Sequence, residues 1–293
     1  MKEALYYDKA DVYVSCRLCP RNCKLANGQS GCCSARKHVN GKLMAAGYGR
    51  VSTLGMDPIE KKPLRHYYPG SWIVSLGSYG CNMSCAFCQN DTISQSRMLL
   101  NFPEPGAKDY YTPEEVLCNA YGQPKNVGIA FTYNEPLINI EYILDIAPLF
   151  RACGLKVVLV TNGIISAEPL ADLLPLTDAL NIDVKGFNEA FYKKLGGDLS
   201  TVKRTVEAAI SCCHVEITAL IVPGENDAPE EMEELTDWLA ALNPETPLHI
   251  SRFFPRYRMK EKPPTPIATL NELAAIARRR LRYVHTGNVG WKE

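Results

Sequence analysis

Beyond about residue 70 the chain alternates between short apolar blocks and longer amphipathic ones. The runs WIVSLG (72–77), VGIAFT (127–132), LKVVLVT (155–161), ALNIDV (179–184), HVEITALIV (214–222) and PLHISRF (247–253) are apolar or β-branched and of strand length. Helical periodicity fills the gaps, at 112–122, 139–154, 201–213, 228–242 and 267–281. The first of these opens on a capping threonine, a proline at the first helical position and two acids in the first turn. Strand and helix therefore alternate about six times, which predicts a parallel sheet. Right-handed crossovers curl such a sheet into a full or partial barrel. The expected fold class is α/β, a partial (βα)6 TIM-like barrel over residues 69–293. Residues 1–68 show little periodicity and are expected to form a small N-terminal cysteine-rich module with its linker. Within it DPIEKKPLRHYYPGS (57–71) reads as a structured linker laid on the surface, with its Lys and His reaching the mouth of the site as the alternative, and PRYRMKEKPPTP (255–266) reads as a mobile basic loop.

Reactive groups in parallel α/β sheets gather at the C-terminal ends of strands. The polar residues follow that rule. Cys81, Cys85 and Cys88 come after the first strand, and Thr132, Tyr133, Asn134 and Glu135 end the second. Thr161, Asn162 and Gly163 end the third, Asp183 and Lys185 the fourth, and His249, Ser251 and Arg252 the sixth. Each has a plainer reading: Asn-Gly as a turn, Asp183 with Lys185 as an ion pair, His249 as a core histidine. Their recurrence at successive strand ends argues for one shared site.

Charge narrows the function classes. Basic and acidic residues balance at 32 each, which removes the electrostatic case for a nucleic-acid or membrane-surface partner. The N-terminal stretch lacks a secretory apolar core and no run of about 18 apolar residues occurs, so a cytoplasmic protein is expected. Twelve cysteines then read as metal or cluster ligands rather than disulfides. Cys118, Cys153, Cys212 and Cys213 lie in apolar surroundings and are expected to be inert packing thiols.

The stretch SLGSYGCNMSCAFCQND (75–91) carries C-x3-C-x2-C. Three thiolates are one short of a closed structural site and leave a coordination position open. Thiolates are the usual ligands of iron–sulfur clusters, so a [4Fe–4S] cluster with one free iron fits, with a zinc knuckle borrowing a fourth ligand as the alternative. Phe87, before the last cysteine, suits the shielding of a cluster from water.

This spacing, with its aromatic residue, resembles the signature of the radical S-adenosylmethionine (SAM) superfamily, and the resemblance runs over about 71–253. TYNEP (132–136) is similar to the segment that receives the methionine amino group. TNG (161–163), DVKG (183–186), LIVPGEND (220–227) and PLHISRF are similar to segments of activating enzymes for glycyl-radical enzymes. More narrowly, CRLCPRNC, DPIEKKPLRHYYPGS and CQNDTISQS resemble the AmmeMemoRadiSam-type proteins, relatives of pyruvate formate-lyase activating enzyme. The resemblance implies reductive cleavage of SAM at the cluster to methionine and a 5′-deoxyadenosyl radical, which removes hydrogen from a protein or small-molecule substrate. It implies an electron donor such as flavodoxin or ferredoxin. Cys81, Cys85 and Cys88 would hold the cluster, Glu135 would take the methionine ammonium and Lys185 its carboxylate. Phe87, Asn134, Thr161, Asn162, Asp183 and His249 complete the implied cofactor-binding set. Val160 stands where pyruvate formate-lyase activating enzymes carry an acid, so their cation site is not expected here. The family often continues past YVHTGN (283–288) into a cysteine-bearing tail, whereas this sequence stops at Glu293.

Cys16, Cys19 and Cys23 with Cys32 or Cys33 offer a second, closed set of four ligands, for zinc or an auxiliary iron–sulfur cluster. Family spacing favours Cys33, and short knuckles of this kind fold around zinc. This site is expected to be distinct and away from SAM. The competing function is a non-catalytic iron–sulfur or zinc protein that carries electrons or scaffolds a partner. An electron carrier has no use for the strand-end polar set.

Overall fold

The computed structural model describes residues 2–96 and 108–290. Its main sheet has eight strands in the order β14-β13-β12-β11-β10-β9-β8-β7. The six strands expected from the apolar runs are β8 (Trp72–Gly77), β9 (Asn126–Phe131), β10 (Lys156–Thr161), β11 (Ala179–Asp183), β12 (His214–Ile221) and β13 (Leu248–Arg252). They are parallel, with neighbouring strands adjacent in sequence, and β14 (Val284–Gly287) extends the series. The stretch Thr53–Pro58, left by the sequence in the N-terminal module, is β7 and pairs antiparallel with β8. Residues of both edge strands, Asp57 and Thr286, line one central cavity, so the sheet is curled into a partial barrel.

The strands are apolar because both faces are covered. The helices in chain order are α1 (Asp91–Ser94), α2 (Pro113–Ala120), α3 (Ile140–Ala152), α4 (Ala167–Leu173), α5 (Glu189–Leu195), α6 (Leu199–Ile210), α7 (Pro229–Leu242) and α8 (Ile267–Ala277), of which α2 packs on β9, α3 on β9 and β10, α6 on β12 and α8 on β13 and β14. Their boundaries follow local chemistry. Thr112 caps α2 through a reciprocal box with Glu115, Asn188 caps α5, and Asp198 caps α6. Gly196 takes the left-handed conformation that ends α5.

Two small antiparallel sheets form the N-terminal module: β1 (Lys2–Glu3), β6 (Lys42–Ala45) and β5 (Arg36–Val39), and β2 (Tyr7–Lys9), β3 (Tyr13–Cys16) and β4 (Lys24–Ala26). Among the described residues no helix is long and apolar enough to cross a membrane.

Three sequence expectations are corrected. The 57–71 segment is not a surface strap. Ile59 and Leu64 are fully buried and form an apolar cluster with Ile73, Ala130, Val158 and Ala179, which plugs the barrel from below. Burying two such side chains contributes about 3–6 kcal/mol, more than a surface course could recover. Residues 255–266 are tied down: Arg258 N donates to Ala86 O at 2.9 Å, and Thr265 is buried with its hydroxyl on Ile221 O at 2.6 Å. Cys118, Cys153 and Cys212 are exposed at helix surfaces and ends, not packed in the core.

Candidate active site

The loop after β8 is clamped from several sides. Asn134 accepts from Ser78 N at 3.0 Å and donates to Gly80 O at 2.9 Å. Ser84 N donates to Leu195 O at 2.9 Å, and Gly80 holds a left-handed φ of 90°. On this frame Cys85 is buried, Cys81 and Cys88 are half-buried, and all three line one cavity. Burial pushes the Cys85 thiol up to about 11 and raises Cys81 further, with Glu135 adding to it. Buried thiols in this state ionise when a cation joins them, the behaviour of a ligand set. Phe87 is buried and stacks on Phe191 with ring centroids 6.1 Å apart.

The cavity, about 710 Å³, has Cys81, Cys85 and Cys88 at one end, and Thr132, Tyr133, Asn134, Glu135, Thr161, Asn162, Asp183 and Lys185 line it. Glu135 is buried. Its carboxylate accepts from Leu137 N at 3.0 Å, Thr161 Oγ1 at 2.7 Å and Asn162 N at 2.8 Å. Burial lifts its pKa to about 7 against those bonds. Asn162 Nδ2 lies 3.8 Å from Cys81 Sγ and donates to Asn82 Oδ1 at 2.9 Å. Lys185 pairs with Asp183. Burial alone would lower the lysine's pKa, but Asp183 and the Cys85 and Cys88 thiols outweigh it and hold the ammonium charged. Asp183 Oδ1 is buried without a hydrogen-bond partner among the described residues. An acceptor left open in a cavity is suited to a ligand's donor.

The far end of the cavity differs from expectation. His249 is the second residue of β13, not its end, and its Nε2 faces Glu216 Oε2 at 2.6 Å. Glu216 is fully buried and also meets His214 at 3.0 Å, Arg65 N at 3.0 Å and His66 N at 2.8 Å. Burial would raise its pKa, but the histidines and backbone N–H groups hold it down at about 2. His66 and His285 meet Nε2 to Nε2 at 2.8 Å, joining the plug to β14. Asn134 lines the cavity while its side chain braces the cysteine loop through Ser78 and Gly80. Glu216, Arg65 and the Asp57–Lys62–Tyr133 contacts were missed in sequence, although a lone acid inside the apolar run HVEITALIV was a signal.

The N-terminal module sits against this loop: Arg21 Nε donates to Asn82 O at 2.8 Å, and a side chain at Gly80 would collide with Cys33 O. Among the described residues no three His, Cys, Asp or Glu side chains close on a point that one metal ion could occupy.

A family model described as the radical SAM superfamily matches residues 76–239, from the end of β8 into α7. The chain belongs to the radical SAM superfamily. This radical SAM protein is 43% identical over 304 residues to the uncharacterized protein MJ0808 of Methanocaldococcus jannaschii, covering 99% of the chain and 86% of that relative. Its fold is similar to a radical SAM methyltransferase from Sphaerobacter thermophilus (TM-score 0.52, 16% identity, 76% of this chain and 68% of that one). It is also similar to SuiB of Streptococcus suis (TM-score 0.51, 14% identity, 72% and 47%). Membership implies a [4Fe–4S] cluster and SAM as cofactors. The residues present fit both: three thiols lining one cavity, Cys85 buried and the other two half-buried, and an open acceptor there, Asp183 Oδ1, that awaits a donor. When bound, the reduced cluster supplies the electron that cleaves SAM.

Proposed function

We propose that this radical SAM enzyme generates a 5′-deoxyadenosyl radical at the Cys81–Cys85–Cys88 loop and uses it, in the manner of an activating enzyme, to abstract hydrogen from a substrate in the central cavity. The observation that carries this reading is the convergence of the three cysteines and the strand-end residues Glu135, Asn162, Asp183 and Lys185 on one cavity of about 710 Å³. In this reading Glu135 keeps one acceptor position for the methionine ammonium, Lys185 orients the carboxylate, and Asp183 Oδ1 takes a hydroxyl. Phe87 and the plug exclude water from the radical. The substrate, a polypeptide loop or a small molecule, lies toward Arg65, His285 and Asn288, where the cavity keeps cationic and hydrogen-bonding groups. An electron-carrier role gives no reason for so large a cavity, with ionic side chains at successive strand ends, beside the thiols.

The test is anaerobic purification, reconstitution with iron and sulfide, and addition of dithionite and SAM. 5′-Deoxyadenosine and methionine are the expected products. Their absence from protein with a full [4Fe–4S] spectrum overturns the reading.

A further inference from the structure

Five groups able to carry positive charge gather around one acid on the β12–β14 side of the barrel. Arg65 and His66 come from the plug, His214 from β12, His249 from β13 and His285 from β14. The acid is Glu216, fully buried on β12. The rings of His249 and His285 stack with centroids 5.2 Å apart, and those of His66 and His285 lie 5.1 Å apart. Arg65, His249 and His285 line the central cavity. His66 and His214 line a second pocket of about 270 Å³ with Tyr283 and Glu245, and that glutamate is paired with Arg282 at 3.1 Å.

Glu216 does not balance all of them. Its carboxylate is taken up by His214, His249 and the backbone N–H groups of Arg65 and His66. Because it stays ionised, Nε2 of His214 and of His249 must donate to it. Nδ1 of His249 is then without a hydrogen-bond partner among the described residues, and so is Nδ1 of His285, whose Nε2 is spent on His66. The Arg65 guanidinium has no ion pair or hydrogen bond among the described residues, whereas the other cations of the cavity are paired, Lys61 and Lys62 with Asp57 and Lys185 with Asp183. The imbalance is felt at His285. Burial, and then the charges of His249, Arg65 and His66, push its pKa down to about 4 against the pull of Glu216.

An arginine left to solvent is ordinary at a surface. Here its backbone N–H is pinned to Glu216 at 3.0 Å and the preceding Leu64 is fully buried, so the residue is fixed on the cavity wall. Three unpartnered nitrogen groups from three separate elements line one space with excess positive potential. A planar or tetrahedral oxyanion meets such a set with several charge-assisted hydrogen bonds at once.

We propose that Arg65, His249 and His285 form a subsite for an anionic group of the substrate, a carboxylate or a phosphate. Arg65 supplies a fixed charge and a fork of N–H donors. His285 donates from Nδ1 when its Nε2 accepts from His66, and His249 donates from Nδ1 in its protonated form. The anion relieves the mutual repulsion of the three. Its assignment to the substrate rests on the proposed function; the subsite itself does not.

The experiment titrates reconstituted full-length protein by calorimetry at constant ionic strength, with SAM present to occupy its own site and no reductant. The probes are sulfate, which stands for a phosphate group, and acetate, which stands for a carboxylate. Saturable binding below about 10 mM is expected for at least one of them. Arg65→Ala, which removes no hydrogen bond or ion pair among the described residues, should weaken it at least tenfold. Modification by diethyl pyrocarbonate, read histidine by histidine by mass spectrometry, should slow several-fold at His285 under saturating anion and stay unchanged at His214. Tighter binding of sulfate assigns the subsite to a phosphate, and tighter binding of acetate to a carboxylate. Failure of both anions to saturate, full affinity in Arg65→Ala, or equal modification of His285 with and without anion overturns the proposal. Absence of 5′-deoxyadenosine when the parent is reduced with SAM would count against the proposed function alone, since the anion titration is read without turnover.

Discussion

Arg36 and Glu141 form an ion pair at 2.6 Å with both side chains 1% exposed. Arg36 Nη1 also donates to Leu5 O at 2.9 Å, and Leu5 N donates to Glu141 Oε1 at 2.7 Å. The pair fastens β5 of the cysteine-rich module to the first turn of α3 on the barrel. Arg36 Nε and Glu141 Oε2 have no hydrogen-bond partner among the described residues, so the desolvation of both ions is incompletely offset. A buried pair of this kind is worth little more than apolar residues of the same volume, yet cutting one side strands a charge at a cost of about 3–5 kcal/mol. Glu141→Leu is therefore expected to lower stability by about 3–5 kcal/mol. For a domain of this size that is roughly a 10 °C fall in Tm. Arg36→Met should cost at least as much, because it also removes the cation facing the Cys16 and Cys33 thiols. The double variant should return to within about 1 kcal/mol of the parent. Equilibrium urea unfolding of the four anaerobically prepared proteins, followed by circular dichroism, measures the cycle. Single-variant losses under about 1 kcal/mol, or losses that simply add in the double variant, would show the reasoning about stranded charge to be wrong.

Three further outcomes follow from the site. Glu135→Ala should weaken SAM binding roughly tenfold to a hundredfold, since a charge-assisted hydrogen bond is worth about 1.5–3 kcal/mol and a decade about 1.4 kcal/mol; calorimetry with unchanged iron content checks it. Glu216, held down at about 2, lends stability that is present above its unfolded value near 4.5 and lost as pH falls toward 2. That loss amounts to about 3 kcal/mol, so the acid limb of a stability–pH profile should flatten in Glu216→Gln; an unaltered limb would contradict it. Gly80→Ala, at φ 90° and against Cys33 O, should cost at least about 2 kcal/mol and loosen the module, seen as faster alkylation of Cys19; wild-type stability would count against the backbone contact.

The sheet was legible because its strands are buried on both faces, so VGIAFT and LKVVLVT carry no competing helical period. The plug was not, because its charges point inward in pairs: Lys62, 2% exposed, meets Asp57 at 2.8 Å, and the sequence shows only an ionic stretch. Helices α4 and α5, seven residues each, are too short for periodicity to stand out, and Pro169 breaks the pattern of the former. Strand β14 holds His285 and Thr286 in four residues and reads as a loop. At the site, the residues expected at strand ends were brought together wherever the strand end was well defined, at Glu135, Asn162, Asp183 and Lys185. His249 lines the same cavity, but from the second position of β13, because the apolar run begins two residues before it. Asn82 carried no signal, since an asparagine between two cysteines reads as turn chemistry.

The plug has a bearing on how this molecule opens. Its backbone is held by Glu216, 150 residues away, and by Asn181, and its His66 reaches across 219 residues to His285 on the last strand. The first and last strands of the open sheet are thus latched to one another through the segment that runs from β7 to β8. Edge strands normally fray independently at low free-energy cost. Here release of the plug frees both edges at once, so their amide protons should exchange with solvent as one cooperative unit, and the curled sheet behaves as a closed ring without a ring of hydrogen bonds.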